Sequence, residues 1–329
     1  MKIGVSLLAV TILVLAAWAG VEVLQLTTLF GVVIPYTALL VFVTGFIYRV
    51  VKWGRSPVPF NISTTCGQQY SLPWIRQNRI ENPAAAWEVI GRMILEITLF
   101  WSLFKNTKTE KDEERLAFGS YKWLWLGGLT FHWSMLIVVL RHLRLFLNPV
   151  PAAIKGLENL DSFLQIGVPL LYITDVLLVG ALTYLFLRRL LLPQIKYISQ
   201  AADYYPLFLL LGIALSGILM RYFFKVDVAG VKELAISLMH LQPAAAAGIG
   251  SIFYIHLFLV CSLLVYFPFS KLMHAGGIFM SPTRNRANNS RMVRHINPWN
   301  YEVKTHTYAE YEDEFRDKMR KVGLPLEKE

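Results

Sequence analysis

The sequence predicts an all-α polytopic membrane protein: six transmembrane helices, one amphipathic interfacial helix and a polar cytoplasmic tail. Three observations carry that prediction. Only 16% of the 329 residues are charged, 55% are hydrophobic, and mean hydropathy is +0.46, whereas soluble domains carry about a quarter charged residues. Mostly apolar runs recur along the chain, each long enough to cross about 30 Å of hydrocarbon, where helix is the form that satisfies the backbone. Lys and Arg are also unevenly shared among the connections. With the N-terminus inside, the inner segments hold 26 of them and the outer segments 6. The positive-inside rule then puts both termini in the cytoplasm of a cell (inner) membrane protein. The net charge of +10 is loop bias of this kind, and nucleic acid is not an expected partner.

Taken in order, residues 3–24 resemble a signal peptide, with Ala17-Trp18-Ala19 placed like a cleavage site, and are read as the first span. Residues 30–48 form the second, with Pro35 near its start. A long inner connection follows. Within it, residues 84–104 carry Glu88, Arg92 and Glu96 at i, i+4 and i+8 on an otherwise apolar segment. That single polar stripe predicts a helix lying along the membrane surface. Residues 105–115 read as a solvated charge run. The third span is 121–147, closed by Asn148-Pro149-Val150-Pro151. The fourth is 163–192, the fifth 206–224 and the sixth 248–272. Residues 1–274 thus make the membrane domain and 275–329 a tail, with a short helix at 308–321. Cys66 and Cys261 are too few for an iron–sulfur cluster, which takes four thiolates, and suggest no disulfide framework.

The candidate chemistry lies in four histidines. His132 and His142 sit on the third span, 10 residues apart; His256 and His274 belong to the sixth run, 18 apart. Eighteen residues are five helical turns, so the latter two rings leave one face. The two spans are antiparallel, and equal depth pairs His142 with His256 toward the outside and His132 with His274 toward the inside. Such pairs can give two axial ligands to each of two haem irons. One mismatch needs absorbing: 10 residues rise about 15 Å and 18 about 27 Å, which demands tilt or a bend at Pro268. Arg141, Arg144 and Arg221 stand at outer helix ends, where cations could meet haem propionates. Lys155, Asp161 and His240 lie in outer connections and are candidates for proton handling at a quinol site. His295 and His306 read as exposed tail residues.

The 10- and 18-residue spacings resemble the gamma subunit of respiratory nitrate reductase, over residues 30–274. That resemblance implies two b-type haems between two helices of a five-span bundle; the first span, long inner loop and tail depart from it. Phe267-Pro268-Phe269-Ser270-Lys271-Leu272-Met273-His274, Ser281-Pro282-Thr283-Arg284-Asn285 and His295-Ile296-Asn297-Pro298-Trp299-Asn300 resemble more specifically the DsrM family. These are cytochrome b subunits of the membrane complex associated with dissimilatory sulfite reduction, and the membrane cytochrome of heterodisulfide reductase is similar. The resemblance implies menaquinol oxidation near the outer haem and electron transfer through two haem b groups. The acceptor would be a cytoplasmic heterodisulfide-reductase-like iron–sulfur subunit docked on the tail, within a complex holding further membrane and cytochrome subunits. Two other readings remain at this level: a haem-free transporter or proton channel with a histidine relay, and a purely structural membrane anchor.

Overall fold

The computed structural model of the chain describes residues 2–56, 67–112, 115–162, 169–243, 248–292 and 302–328. Helix α1 (Lys2–Trp18) ends in a π-helical turn (Ala19–Val23). A second such turn (Leu29–Val33) leads into α2 (Ile34–Gly54), where Pro35 occupies the first turn and its missing N–H costs nothing. The inner connection contains α3 (Ala86–Leu99) and α4 (Trp101–Lys105), separated by Phe100 in the left-handed region at φ 50°. Next come β1 (Thr107–Asp112) and β2 (Arg115–Ser120), an antiparallel pair with Thr107 opposite Ser120. Then follow α5 (Lys122–His142), α6 (Ala152–Asp161), α7 (Ile173–Leu191), α8 (Pro193–Ile198), α9 (Ala201–Tyr222), α10 (Val228–Met239) and α11 (Ser251–Tyr266). Beyond α11 the chain makes a 3-10 turn (Phe267–Phe269), an extended residue at Ser270 and another turn before α12 (His274–Gly277); α13 (Tyr308–Lys321) lies in the tail.

The long helices pack as a bundle: α1 on α9 and α11, α2 on α11, α9 on α7 and α11, and α5 on α7. Its centre is apolar, with Ala17, Phe30, Leu209, Tyr254 and Leu259 in one cluster. The outside is the more apolar surface: Leu8, Leu15, Leu40 and Ile47 are all exposed on α1 and α2. Water would not tolerate that much contiguous apolar surface, but lipid does. Among the described residues, five helical stretches are long and apolar enough to cross a membrane: Lys2–Val23, Leu29–Gly54, Lys122–Leu145, Ala201–Tyr222 and Ser251–Phe269. The protein is an integral membrane protein.

Several expectations change. The predicted fourth span is represented by α7, which carries Asp175 in its first turn and Arg188 and Arg189 in its last; residues 163–168 lie outside the described residues. Pro206 sits inside α9 instead of opening it. The charge run at 105–115 contributes to an antiparallel strand pair, because Thr107, Thr109, Leu116 and Phe118 favour strand while Lys111 and Arg115 stay exposed. The 84–104 segment is two helices, and its charged stripe faces protein: Glu88, Arg92 and Glu96 are buried, while Trp87, Ile90 and Ile94 are exposed. Glu88 accepts from the Ala84 amide at the helix start, Arg92 donates to the Glu81 carbonyl, and Glu96 accepts from Ser102 and pairs with Arg284 at 3.1 Å. The amide of Asn288 donates to Pro83 O, so residues 284–288 of the tail are held by this connection. Cys66 and the 295–300 motif lie outside the described residues.

Candidate functional site

The structure brings the four histidines together in two couples. The rings of His142 and His256 are 6.3 Å apart between centroids and nearly parallel, at 9°. Those of His132 and His274 are 5.9 Å apart and nearly perpendicular, at 84°. His274 does not share a helix with His256. The break at Phe267–Phe269 and Ser270 separates them and absorbs the mismatch in rise between the two spacings. Gly45 of α2 makes that break possible: a Cβ there would stand 2.8 Å from Pro268 Cβ, so only glycine lets α2 approach the turn.

Backbone and side-chain acceptors fix each ring through Nδ1. His132 meets Gly128 O at 2.7 Å, His142 meets Val138 O at 2.7 Å and His274 meets Lys271 O at 2.9 Å. A carbonyl can only accept, so in these three the proton sits on Nδ1 and Nε2 keeps its lone pair. His256 Nδ1 meets Ser216 Oγ of α9 at 2.9 Å. All four rings thus leave Nε2 available as a metal ligand. A transition-metal ion stands about 2 Å from an imidazole nitrogen, which itself lies about 1 Å in front of the ring centroid; two rings sharing one ion are therefore about 6 Å apart. Both couples match that separation, and each is a donor pair of the kind that would hold one haem iron.

Around the outer couple lies a buried charge network. Arg141, next to His142, pairs with Asp161 of α6 at 3.1 Å and Asp175 of α7 at 2.7 Å, and donates to Thr174. Thr174 in turn donates to Asp161, and Tyr222 of α9 to Asp175. The guanidinium groups of Arg141 and Arg221 lie 3.7 and 3.9 Å from the Tyr172 ring centroid. Arg221 also donates to Leu170 O, while its buried Nε has no partner among the described residues. Arg144 pairs with Glu158 at 3.0 Å. Asp161 is therefore part of an ion-pair lock. Lys155 and His240 are exposed, and among the described residues no hydrogen bond or ion pair joins them to Asp161 or to each other. His240 turns Nδ1 to Ile236 O at 2.8 Å.

The inner couple is walled by aromatics. Phe100, thrown inward by its left-handed backbone, meets the His132 ring edge-on at 4.9 Å, and Phe131 does so at 4.8 Å. Trp125 and Trp133 of α5 donate to Leu99 O and Thr98 O, tying α5 to the end of α3. Lys271, whose carbonyl orients His274, binds Asp203 at the start of α9 at 2.7 Å. Ser216, Asp203 and Asp175 were not singled out from the sequence; a hydroxyl or a helix-end carboxylate in an apolar run carries no pattern of its own. His306 is exposed in the tail, 4.0 Å from Glu310, and His295 lies outside the described residues.

The sequence profile of the nitrate reductase gamma subunit matches residues 99–295. That stretch runs from the end of α3 past His274 and begins later than residues 30–274. The chain is also similar to the "Hdr-like menaquinol oxidoreductase cytochrome b-like subunit" of Archaeoglobus fulgidus, with 46% identity over 278 residues, 82% of this chain and 83% of that one. The protein of the same name from Archaeoglobus profundus is 42% identical over 275 residues, 81% of each chain. With more than half of its length matched by the profile, the chain belongs to the nitrate reductase gamma subunit family.

Proposed function

We propose that the chain is the dihaem cytochrome b subunit of a membrane complex, oxidising menaquinol on the outer side and delivering electrons to a cytoplasmic iron–sulfur subunit of the heterodisulfide-reductase type. The observation that carries this reading is the spacing of the two imidazole couples, 6.3 and 5.9 Å, with each Nδ1 engaged. His142 with His256, and His132 with His274, would hold one haem b each. Bound there, the two groups would supply one-electron transfer across the bilayer. The names of the two Archaeoglobus relatives support the quinol and the partner class. The tail motifs favour the DsrM type and hence a sulfite-reduction-associated complex.

The chain's residues have separable tasks. The Nδ1 hydrogen bonds hold each ring in the tautomer that ligates. Arg221, whose Nε has no partner among the described residues, is the cation that would meet a propionate; Arg144 is half-exposed and paired with Glu158, and Arg141 anchors α5. Lys155 and His240 are the exposed groups that would take quinol protons outside. As a sixth crossing, α7 spans about 28 Å for its 19 residues. Its Asp175 is neutralised by Arg141, and Arg188 and Arg189 reach the inner headgroups. Both termini are then cytoplasmic in the cell membrane. Anaerobic addition of a reduced menaquinone analogue to the purified full chain tests the reading. The haem absorbance should be reduced in the wild type and not in His142→Ala; a haem-loaded wild type that the quinol never reduces would contradict it.

A further inference from the structure

We infer that Ser216 is the positioning residue for His256 and sets the redox potential of the outer haem separately from the inner one; this rests on the haem-ligand reading above. The other three histidines are oriented by carbonyls of their own chain three or four residues earlier: Gly128, Val138 and Lys271. His256 alone among the four is oriented by a side chain of another helix, 40 residues away in sequence.

A serine hydroxyl has one hydrogen, and Ile213 O, 3.0 Å from Ser216 Oγ, is its backbone acceptor. With the hydrogen placed there, Oγ accepts from His256 Nδ1 at 2.9 Å, the arrangement that leaves Nε2 free to ligate. Ser216 is buried, and Gly217 beside it leaves the ring room: a Cβ there would come within 3.4 Å of His256 Cε1. The ring is thus laid against α9, where the Ser216 hydroxyl and the Ile213 carbonyl are the polar groups that meet it. Donation of Nδ1–H to Oγ makes the imidazole a better electron donor, which favours oxidised iron and lowers the potential.

The test uses the full chain with Ser216→Ala and Ser216→Thr, following the midpoint potential and occupancy of each haem by optical redox titration. The outer haem is identified as the one absent in His142→Ala. Ser216→Ala should raise the outer midpoint or empty the outer site while leaving the inner midpoint in place. Ser216→Thr, which keeps the hydroxyl, should restore wild-type behaviour. Both haems present in Ser216→Ala at wild-type potentials would overturn the inference and leave the haem reading intact. Equal shifts in the Ala and Thr variants would overturn it as well, pointing to packing alone. A wild-type chain without haem overturns the parent reading and this one together.

Discussion

The outer and inner histidine couples share two helical runs but are built by different means. In the outer couple both rings stand on regular helix, α5 and α11, and their planes are almost parallel, at 9°. In the inner couple His132 is on helix, but His274 follows a break and starts a new short helix; the rings meet at 84°. Charge and hydrogen bonds pin the outer pair, through Arg141, Asp161, Asp175 and Ser216. Aromatic walls and a half-exposed ion pair hold the inner one, through Phe100, Phe131 and Lys271–Asp203. The difference shows that residue spacing alone does not define such a site. The longer His256–His274 interval is compatible with the shorter His132–His142 interval only because the helix stops at Pro268.

The sharpest way to break the comparison is to remove one couple at a time. His256→Ala should leave about one haem per chain and retain the inner one, and His274→Ala should do the reverse, read as haem-to-protein ratio. Loss of both haems in either variant would mean that the couples are not independent. Arg141→Ala should come next in size. It leaves the buried carboxylate of Asp161 and the partly buried one of Asp175 without their cation, a loss of about 3–5 kcal/mol, seen as a lower unfolding temperature in detergent with the outer haem lost before the inner. An unchanged unfolding temperature would remove the outer lock from the account.

A smaller effect is spectroscopic. Parallel imidazole planes split the two iron d orbitals that overlap with the rings, whereas perpendicular planes leave them nearly equal in energy. The oxidised chain should therefore give a rhombic low-spin electron paramagnetic resonance signal that disappears in His256→Ala. It should also give a strongly axial one that disappears in His274→Ala. Two identical signals would contradict the 9° and 84° geometries. The least effect belongs to the tail. Glu312 accepts the amides of Glu327 and Lys328, and the Glu327 amide above all holds its carboxyl below the usual carboxylate range. A depressed carboxylate stabilises above its unfolded value of about 4.3 and stops doing so as pH falls through the lower folded value. Exchange protection of those two amides should be level near neutrality and vanish in acid; in Glu312→Gln it should be reduced even at neutral pH. Equal protection at all pH values would refute that role.

Much of this was legible in the sequence because the signals are periodic or compositional. Apolar runs and the four histidines need no tertiary information, and Pro268 announced the bend. The tail helix at Tyr308–Lys321 is equally local: Thr307 and Glu310 cap its start reciprocally. What stayed hidden depends on partners distant in sequence. Glu88, Arg92 and Glu96 look like a surface stripe until residues 79–81 and Arg284 are seen to cover them. The pairing of β1 with β2 was masked by its own charges. Arg141 read as a cation for a propionate because Asp161 and Asp175 lie one and two helices further on. Ser216 is one hydroxyl in an apolar helix, and only the position of His256 gives it meaning.

The most direct test of the central claim is the haem content of the purified full chain, measured with its reduced-minus-oxidised optical spectrum. The account predicts b-type bands, two haems per chain and none when all four histidines are replaced. A chain without Soret absorbance, or one whose haem survives replacement of the four histidines, would contradict it.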